Sequence, residues 1–183
     1  MTIVAIISSP RKGGNSDTIV KSVIDGAKAN GKDVKEFRLN GMSNAKGCQA
    51  CMACKKSVGC VTRDDFAEIL EAIRNAEGLI VSSPCYFGDM DGRMKLLWDR
   101  FFSFLNGDFS SNVESGKKLV TVVTCGGGLD DANKMADKME GTLAGMVGFS
   151  PIGKIVLPGG NAPNAAASNT DVLTEAKNIG GKF

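Results

Sequence analysis

Short apolar runs rich in β-branched residues alternate with amphipathic stretches along the whole 183-residue chain. Thr2–Ile7 has the continuous apolar character of a strand buried on both faces, whereas Ile19–Ala27 carries apolar residues at helical spacing. Strands that alternate with helices form parallel βαβ units with right-handed crossovers. The sequence therefore predicts one α/β domain over residues 1–183, a three-layer sandwich with helices on both faces of a parallel sheet.

Five strands are predicted, at Thr2–Ile7, Val34–Leu39, Gly78–Ser83, Leu119–Thr124 and Ile152–Leu157. We expect Pro84 to end the third strand, and Thr62–Asp65 matches the capping box that starts a helix. Five such strands fit a flavodoxin-like sheet in the order 2-1-3-4-5, whose ligands bind beyond the carboxyl ends of the strands, beside strand 1. The loops after strands 1, 3 and 4 are therefore expected to hold the site.

The amino-acid composition excludes several kinds of catalytic site, metal site and partner. The chain has no histidine, which excludes Ser-His-Asp and Cys-His catalysis and His-ligated zinc. Its net charge of +2 gives no electrostatic basis for binding nucleic acid or an anionic membrane. The first residues lack a basic leader, and no segment approaches the roughly 18 apolar residues of a membrane span. We therefore expect a cytoplasmic protein without nucleic-acid or membrane partners.

The loop after the first strand, Ser8–Ser16, is rich in glycine and hydroxyl groups and leads into a helix. The unpaired N–H groups and the dipole of a helix N-terminus bind phosphate, and glycines allow close backbone approach. A plain turn with Asn15 or Ser16 as the helix cap is the alternative. The chain lacks a GxGxxG motif and a P-loop in strand-to-helix order, so neither a Rossmann-type NAD site nor a nucleoside triphosphate is supported.

Two segments carry a family resemblance. Ser9–Ser16 resembles the phosphate loop of the NAD(P)H-dependent FMN reductase and iron–sulfur flavoprotein families, and Ser83–Met90 is similar to their segment along the isoalloxazine ring. Ser8 departs from the pattern, because many relatives have glycine there. The FMN-binding residues that the resemblance and the strand-end positions imply are Ser9, Arg11, Lys12, Asn15, Ser16, Thr18, Pro84, Cys85, Tyr86, Phe87, Gly88, Asp89, Thr124, Gly126 and Gly127.

A long loop after the second strand, at about residues 40–63, carries four cysteines with the spacing C-x₂-C-x₂-C-x₅-C: Cys48, Cys51, Cys54 and Cys60. Thiolates on one tight run are typical of [4Fe–4S] ligation in bacterial ferredoxins, and the spacing resembles the compact motif of the iron–sulfur flavoproteins. We therefore predict all four as cluster ligands. Zinc, disulfides and a metal-free loop, as in many FMN reductase relatives, are the alternatives. The other two cysteines, Cys85 and Cys125, are interpreted as small buried apolar residues.

These features predict an enzyme, a flavin-dependent oxidoreductase. FMN would exchange two electrons with one partner, and the [4Fe–4S] cluster would pass single electrons to or from a one-electron carrier. NAD(P)H, a ferredoxin or another small-molecule donor or acceptor is the expected partner. The alternatives are a cluster-free NAD(P)H-dependent FMN or quinone reductase, and a non-enzymatic metal-thiolate or redox-sensing module.

Clustered aromatic residues predict an oligomer. A helix is predicted over Met90–Leu105, and four of its residues within seven positions are aromatic: Trp98, Phe101, Phe102 and Phe104. At 100° per residue they cannot all face the sheet of their own chain. We therefore expect a homodimer or tetramer that covers the remaining aromatic surface near the flavin, with burial beneath Asn106–Ser115 as the alternative.

Overall fold

A sheet of six strands lies at the centre of the computed structural model, which describes residues 2–183. The strands in that range are β1 Thr2–Ile7, β2 Asp33–Arg38, β3 Gly78–Tyr86, β4 Asp89–Met90, β5 Lys118–Cys125 and β6 Ser150–Leu157. The α-helices are α1 Asn15–Ala29, α2 Asp65–Asn75, α3 Gly92–Arg100, α4 Leu129–Thr142 and α5 Thr170–Gly180. The predicted α/β class with a flavodoxin-like sheet is confirmed.

Five strands run parallel in the order β2-β1-β3-β5-β6, and the short β4 pairs antiparallel with β3. The predicted order of the parallel strands is therefore correct, but the additional β4 changes their numbering. β4 forms because Phe87 and Gly88 have positive φ angles of 52° and 81°, as the central residues of a two-residue hairpin turn often require. The hairpin turns the chain back at the carboxyl end of the central strand.

β3 continues through Pro84 to Tyr86, so the prediction that Pro84 ends this strand is wrong. Proline has no N–H and is tolerated in a strand where no neighbour needs that donor. The pairing of β3 with β1 ends at Ser82, and β4 pairs only from Cys85 onward, while β5 accompanies the other edge of β3. Pro84 therefore occupies the gap between two successive partners.

Helices α1 and α5 cover one face of the sheet, and α2, α3 and α4 cover the other. The contact between α1 and α5 depends on two glycines. A Cβ atom on Gly180 would lie 2.0 Å from the carbonyl oxygen of Val23, and one on Gly26 would lie 2.1 Å from that of Lys177. The two backbones therefore touch, and α5 supports the helix that follows the Ser8–Ser16 loop.

Helix α2 begins at Asp65 and not in the predicted capping box at Thr62. Its cap is Asp64, whose carboxylate accepts the N–H of Phe66 at 3.2 Å. An aspartate one residue before the helix can bond the free N–H groups of the first turn directly, so the Thr62 hydroxyl is not needed there.

Helix α3 ends at Arg100, and a 3₁₀ turn continues over Phe101–Phe104. The tighter turn buries Phe101 and Phe104 in the core of their own chain, and the ring of Phe102 lies 6.2 Å from that of Phe109. The predicted helix over Met90–Leu105 is therefore too long at both ends. Trp98 and Phe102 are only partly buried, and the oligomeric state stays a prediction. None of the helices within residues 2–183 combines the length and the hydropathy that a membrane crossing requires.

Candidate functional site

The loops that follow β1, β3, β5 and β6 meet at the carboxyl edge of the sheet and surround a pocket, which we call the strand-end pocket. Its position beside β1, where the strand order reverses, is the position at which open α/β sheets bind ligands. The pocket is lined by Ser9, Arg11, Asn15, Ser16, Pro84, Cys85, Tyr86, Thr124, Cys125, Gly126, Gly160 and Asn161.

One end of the strand-end pocket lies at the N-terminus of α1. The cap of this helix is Gly14, which has no side chain to occupy the N–H groups of the first turn. Ser16 Oγ lies 2.8 Å from Thr124 Oγ1, and the exposed Arg11 guanidinium donates to the carbonyl oxygen of Asn161 at 3.3 Å. Free N–H groups, hydroxyls and a guanidinium at a helix N-terminus fit a phosphate group.

The Asn15 side chain performs a different task from the predicted one. Its Nδ2 donates to the carbonyl oxygens of Gly160 and Ala162 at 2.9 and 2.8 Å, and its Oδ1 accepts the N–H of Ala166 at 2.9 Å. Because both amide hydrogens are used within the chain, the side chain positions the loop after β6 and leaves only its backbone N–H for a phosphate.

Two predicted residues, Lys12 and Thr18, lie outside the strand-end pocket. They line a separate groove on the outer side of α1 together with Asp17 and Arg38. Asp17 is buried there, accepts the N–H of Gly13 at 2.6 Å and pairs with Arg38 at 2.6 Å. This ion pair stabilises the Ser8–Ser16 loop on the side away from the strand-end pocket. Lys12 and Thr18 therefore lie in a groove that is separate from this pocket.

The other end of the site is an open, shallower pocket, which we call the ring pocket, formed by Tyr86–Gly88, Gly126, Gly127 and neighbouring residues. Phe87 is fully exposed and Tyr86 is half-exposed at its rim. A Cβ atom at Gly126 would lie 2.2 Å from Asn161 Oδ1, so a larger residue there would displace the Asn161 side chain. Aromatic side chains beside bare backbone fit a flat aromatic ligand.

Asp89, also predicted to bind FMN, is not among the residues that line either pocket. Its carboxylate pairs with Lys138 Nζ at 2.8 Å. This partner and the N–H of Met90 lower the pKa of Asp89. The residue therefore fixes the hairpin against α4.

A buried hydrogen-bond network joins the ends of β1 and β3 to the start of α3. The hydroxyls of Ser8 and Ser83 both donate to Asp91 Oδ2, at 2.9 Å for Ser83. Asp91 Oδ1 accepts the N–H groups of Arg93 and Met94 at 3.0 and 3.4 Å, which caps α3. Ser8, the one departure from the family pattern, is therefore a donor to this carboxylate.

We expect Asp91→Ala to lower the free energy of unfolding by about 2 kcal/mol, because it removes a helix cap worth about 1 kcal/mol and the charge-assisted hydrogen bonds of two buried hydroxyls, which then have only backbone carbonyl oxygens as acceptors. Urea denaturation measures the change. The matched control is Asp89→Ala, which removes an exposed ion pair worth at most about 1 kcal/mol. Equal losses in the two variants would contradict the role of Asp91.

The four cysteines of the residue 40–63 loop, which we call the cysteine loop, line one pocket together with Arg100 and Phe102. Ala50 and Met52 have positive φ angles of 50° and 57°, which turn the chain sharply on either side of Cys51. Burial is the main cause that raises the pKa of Cys54; Lys55 opposes this effect, and the neighbouring Cys60, Cys48 and Cys51 add to it. Within residues 2–183, no three metal-ligating groups converge as they would around a single ion.

Arg100 connects this pocket to the fold. Its Nε donates to Cys60 Sγ at 3.1 Å, its Nη1 to Asp64 Oδ2 at 2.8 Å and to the carbonyl oxygen of Lys46 at 2.9 Å, and its Nη2 to the carbonyl oxygen of Thr62 at 3.2 Å. Burial alone would raise the pKa of Cys60, but the hydrogen bonds from Thr62 and the Arg100 guanidinium lower it overall. The structure thus stabilises a thiolate at Cys60.

Lys55, at the edge of the cysteine loop, is also engaged within the chain. Its Nζ donates to the carbonyl oxygens of Phe102 and Leu105 at 2.6 and 2.5 Å and lies 3.5 Å from the centre of the Phe102 ring. The residue therefore fastens the loop to the 3₁₀ turn.

The sequence reasoning missed Gly160 and Asn161, which line the strand-end pocket from the loop after β6. Gly159 and Gly160 follow the last predicted strand closely, so the rule that ligands bind beyond strand ends would have found them. Arg100 was missed because its partners lie far away in the sequence, as does Ser8, the distant partner of Asp91.

The parallel sheet and the strand-end pocket beside β1 define the flavodoxin-like class of proteins. Residues 1–163 match the family described as NADPH-dependent FMN reductase. The chain belongs to this family of flavin-dependent oxidoreductases.

Three known proteins illustrate the relationship. An iron-sulfur flavoprotein of Methanosarcina thermophila is 34% identical over 119 residues, which span 65% of this chain and 62% of that protein, less than two thirds of its length. An iron-sulfur flavoprotein of Methanocaldococcus jannaschii is 28% identical over 94% of this chain and 83% of its own length. The structure of an NAD(P)H:quinone oxidoreductase from Methanothermobacter marburgensis has a TM-score of 0.78 at 18% identity and covers 99% of this chain and 98% of its own.

Proposed function

We propose that this protein is an FMN-dependent oxidoreductase in which a [4Fe–4S] cluster in the cysteine loop is the one-electron partner of the flavin. The observation that carries the proposal is that four cysteines line one pocket while a buried guanidinium donates to Cys60. A group of thiolates accumulates negative charge, and a buried cation beside it offsets that charge. Hydrogen bonds to ligating sulfurs are also a known means of setting cluster potentials.

The flavin half of the proposal is supported by the two ends of the site. FMN supplies hydride and single-electron chemistry when bound. Arg11, Ser16 and the N–H groups at the start of α1 would hold its phosphate. The Tyr86–Gly88 turn and the bare backbone at Gly126 would hold and orient its ring.

The cluster half is supported by the form of the cysteine motif. Structural zinc sites usually take their thiolates from two separated pairs, whereas three of these cysteines lie on one short run and Cys60 follows closely. The sharp turns at Ala50 and Met52 present that run to a common pocket. The names of the two relatives as iron-sulfur flavoproteins support the same assignment.

For partners, we propose NAD(P)H, a ferredoxin or another small electron carrier, and a homodimer or tetramer in the cytoplasm. Phe87 and Tyr86 expose aromatic surface at the ring pocket, and a neighbouring subunit over the hairpin would cover it. A light-scattering mass of 19.2 kDa, that of one chain, would contradict the oligomer.

Anaerobic purification, followed by visible spectroscopy and assays of FMN, iron and sulfide, tests the proposal. We expect one FMN and about four iron atoms per chain. Cys48→Ala should lose the iron and keep the FMN, because the two sites use different loops. Ser57→Ala, in the same loop but not at a sulfur position, should keep both.

The remaining outcomes separate the alternatives. FMN without iron after reconstitution would overturn the cluster and favour a cluster-free NAD(P)H-dependent FMN or quinone reductase. Zinc or iron without FMN would overturn the flavin assignment and favour a metal-thiolate module.

A further inference from the structure

Two cysteines outside the cysteine loop lie side by side on neighbouring strands of the sheet. Cys85 on β3 and Cys125 on β5 are register partners of neighbouring parallel strands, and they are 7% and 9% exposed. Neighbouring strands lie about 4.8 Å apart, which falls within the Cα separation of about 4.4–6.8 Å that a disulfide accepts. Both side chains lie on the same face of the sheet, in the same apolar cluster.

One of the two sulfur atoms is positioned by a specific contact. The N–H of Gly127 donates to Cys125 Sγ at 3.3 Å. The Cys125 sulfur is therefore held by a glycine from one of the loops that form the ring pocket, a contact that packing of small apolar side chains does not require.

The pair borders both parts of the flavin site. Cys85 and Cys125 line the strand-end pocket and also the ring pocket, and they are free thiols in the structure. Burial, followed by the neighbouring Cys125, raises the pKa of Cys85. Protonated, buried thiols react slowly with oxidants in solution. The oxidant with direct access to this pair is therefore one that occupies the pocket which the pair lines.

From this geometry we infer that Cys85 and Cys125 are a redox-active dithiol that exchanges an electron pair with FMN, an inference that rests on the flavin half of the proposed function. Oxidation breaks two S–H bonds and forms one S–S bond. The two electrons and two protons released reduce bound oxidised FMN to its two-electron reduced form. In the reverse direction, reduced FMN returns the electron pair, the S–S bond breaks and both thiols form again. The pair thus stores two electrons beside the flavin.

Peptide mapping of the FMN-loaded protein tests the inference without an activity assay. Trypsin cleavage places Cys85 in the peptide Asn75–Arg93 and Cys125 in Leu119–Lys134, each with a single cysteine. The protein is held without oxygen with its FMN oxidised, free thiols are then alkylated, and the digest is analysed by mass spectrometry. We expect the two peptides to become disulfide-linked at least about tenfold faster than in the FMN-free protein, because the bound oxidant is in contact with the pair.

Further measurements test whether the linked peptides are joined by a disulfide between Cys85 and Cys125. Reduction of the FMN by light in the presence of a sacrificial donor should open it again. Cys85→Ser and Cys125→Ser should each abolish the linked peptide while the partner cysteine becomes alkylated. Ser57→Ala, which changes no cysteine, should leave it intact.

The outcomes separate failure of this inference from failure of the proposed function. A protein that contains FMN but yields only separately alkylated peptides overturns the dithiol pair alone. Linkage at equal rates with and without FMN also overturns it, because the flavin is then not the oxidant. A protein that binds no FMN overturns both proposals.

Discussion

Replacement of Arg100 by methionine is expected to lower the free energy of unfolding by about 3–5 kcal/mol, because a buried carboxylate then loses its cation. The side chains of Arg100 and Asp64 are 1% and 0% exposed and lie 2.8 Å apart. The same guanidinium holds Cys60 and two carbonyl groups of the cysteine loop. Urea denaturation followed by circular dichroism measures the loss, and the alkylation rate of Cys60 reports whether the loop has detached.

Two further variants make this result specific. Arg63→Met removes an exposed arginine from the same segment and should change stability by no more than about 0.5 kcal/mol. Combining Arg100→Met with Asp64→Asn should recover much of the loss, because the buried carboxylate charge is then gone while the amide oxygen still caps α2. If Arg100→Met denatures at the same urea concentration as Arg63→Met, Arg100 does not hold the loop as described.

The second large effect is expected in FMN binding. Combining Arg11→Ala with Ser16→Ala should weaken the affinity for FMN by about 2–4 kcal/mol, or about 30- to 900-fold, since each residue is placed to donate to the phosphate. Fluorescence titration of the FMN-free protein measures the dissociation constant. Riboflavin, which lacks the phosphate, is the matched ligand, and its affinity should change little.

Lys12→Ala is the matched variant for this experiment. Sequence reasoning counted Lys12 among the FMN-binding residues, whereas the structure places it in the groove on the outer side of α1. Its replacement should therefore leave FMN affinity within about twofold of the original. Unchanged FMN binding in the double variant, or an equal loss of riboflavin affinity, would refute the phosphate assignment.

The features that sequence predicts well are those set by local periodicity. The five parallel strands and the loops at their carboxyl ends follow from apolar runs and from the rule that ligands bind where strand order reverses. Pro84 does not end β3, because its missing N–H lies after the part of β3 that pairs with β1 and before the part that pairs with β4. The lengths of β1 and β4 decide this, and the residues around Pro84 do not reveal them. The role of Cys85 likewise depends on register with β5, which a single sequence does not reveal.

Arg100 shows why the rest was not predictable. In the sequence it is one charged residue near the end of an amphipathic helix, and such residues usually face solvent. It is buried because the cysteine loop folds back over it from a distance of 36–54 positions along the chain. The early end of this helix was missed for a related reason, since the change from α-helix to 3₁₀ turn after Arg100 leaves no clear compositional mark.

The length of helix α3 limits how the sequence of this protein can vary. The cap of this helix, Asp91, belongs to the buried network at the ends of β1 and β3, and its last residue, Arg100, donates to the cysteine loop. Nine residues at a rise of 1.5 Å set the two ends roughly 14 Å apart. Adding or deleting one residue would rotate Arg100 by about 100° around the helix axis, away from both Asp64 and Cys60. The number of residues in α3 therefore sets the rotation of Arg100 relative to Asp91. Exposed side chains of the helix are free to change, and its length is not.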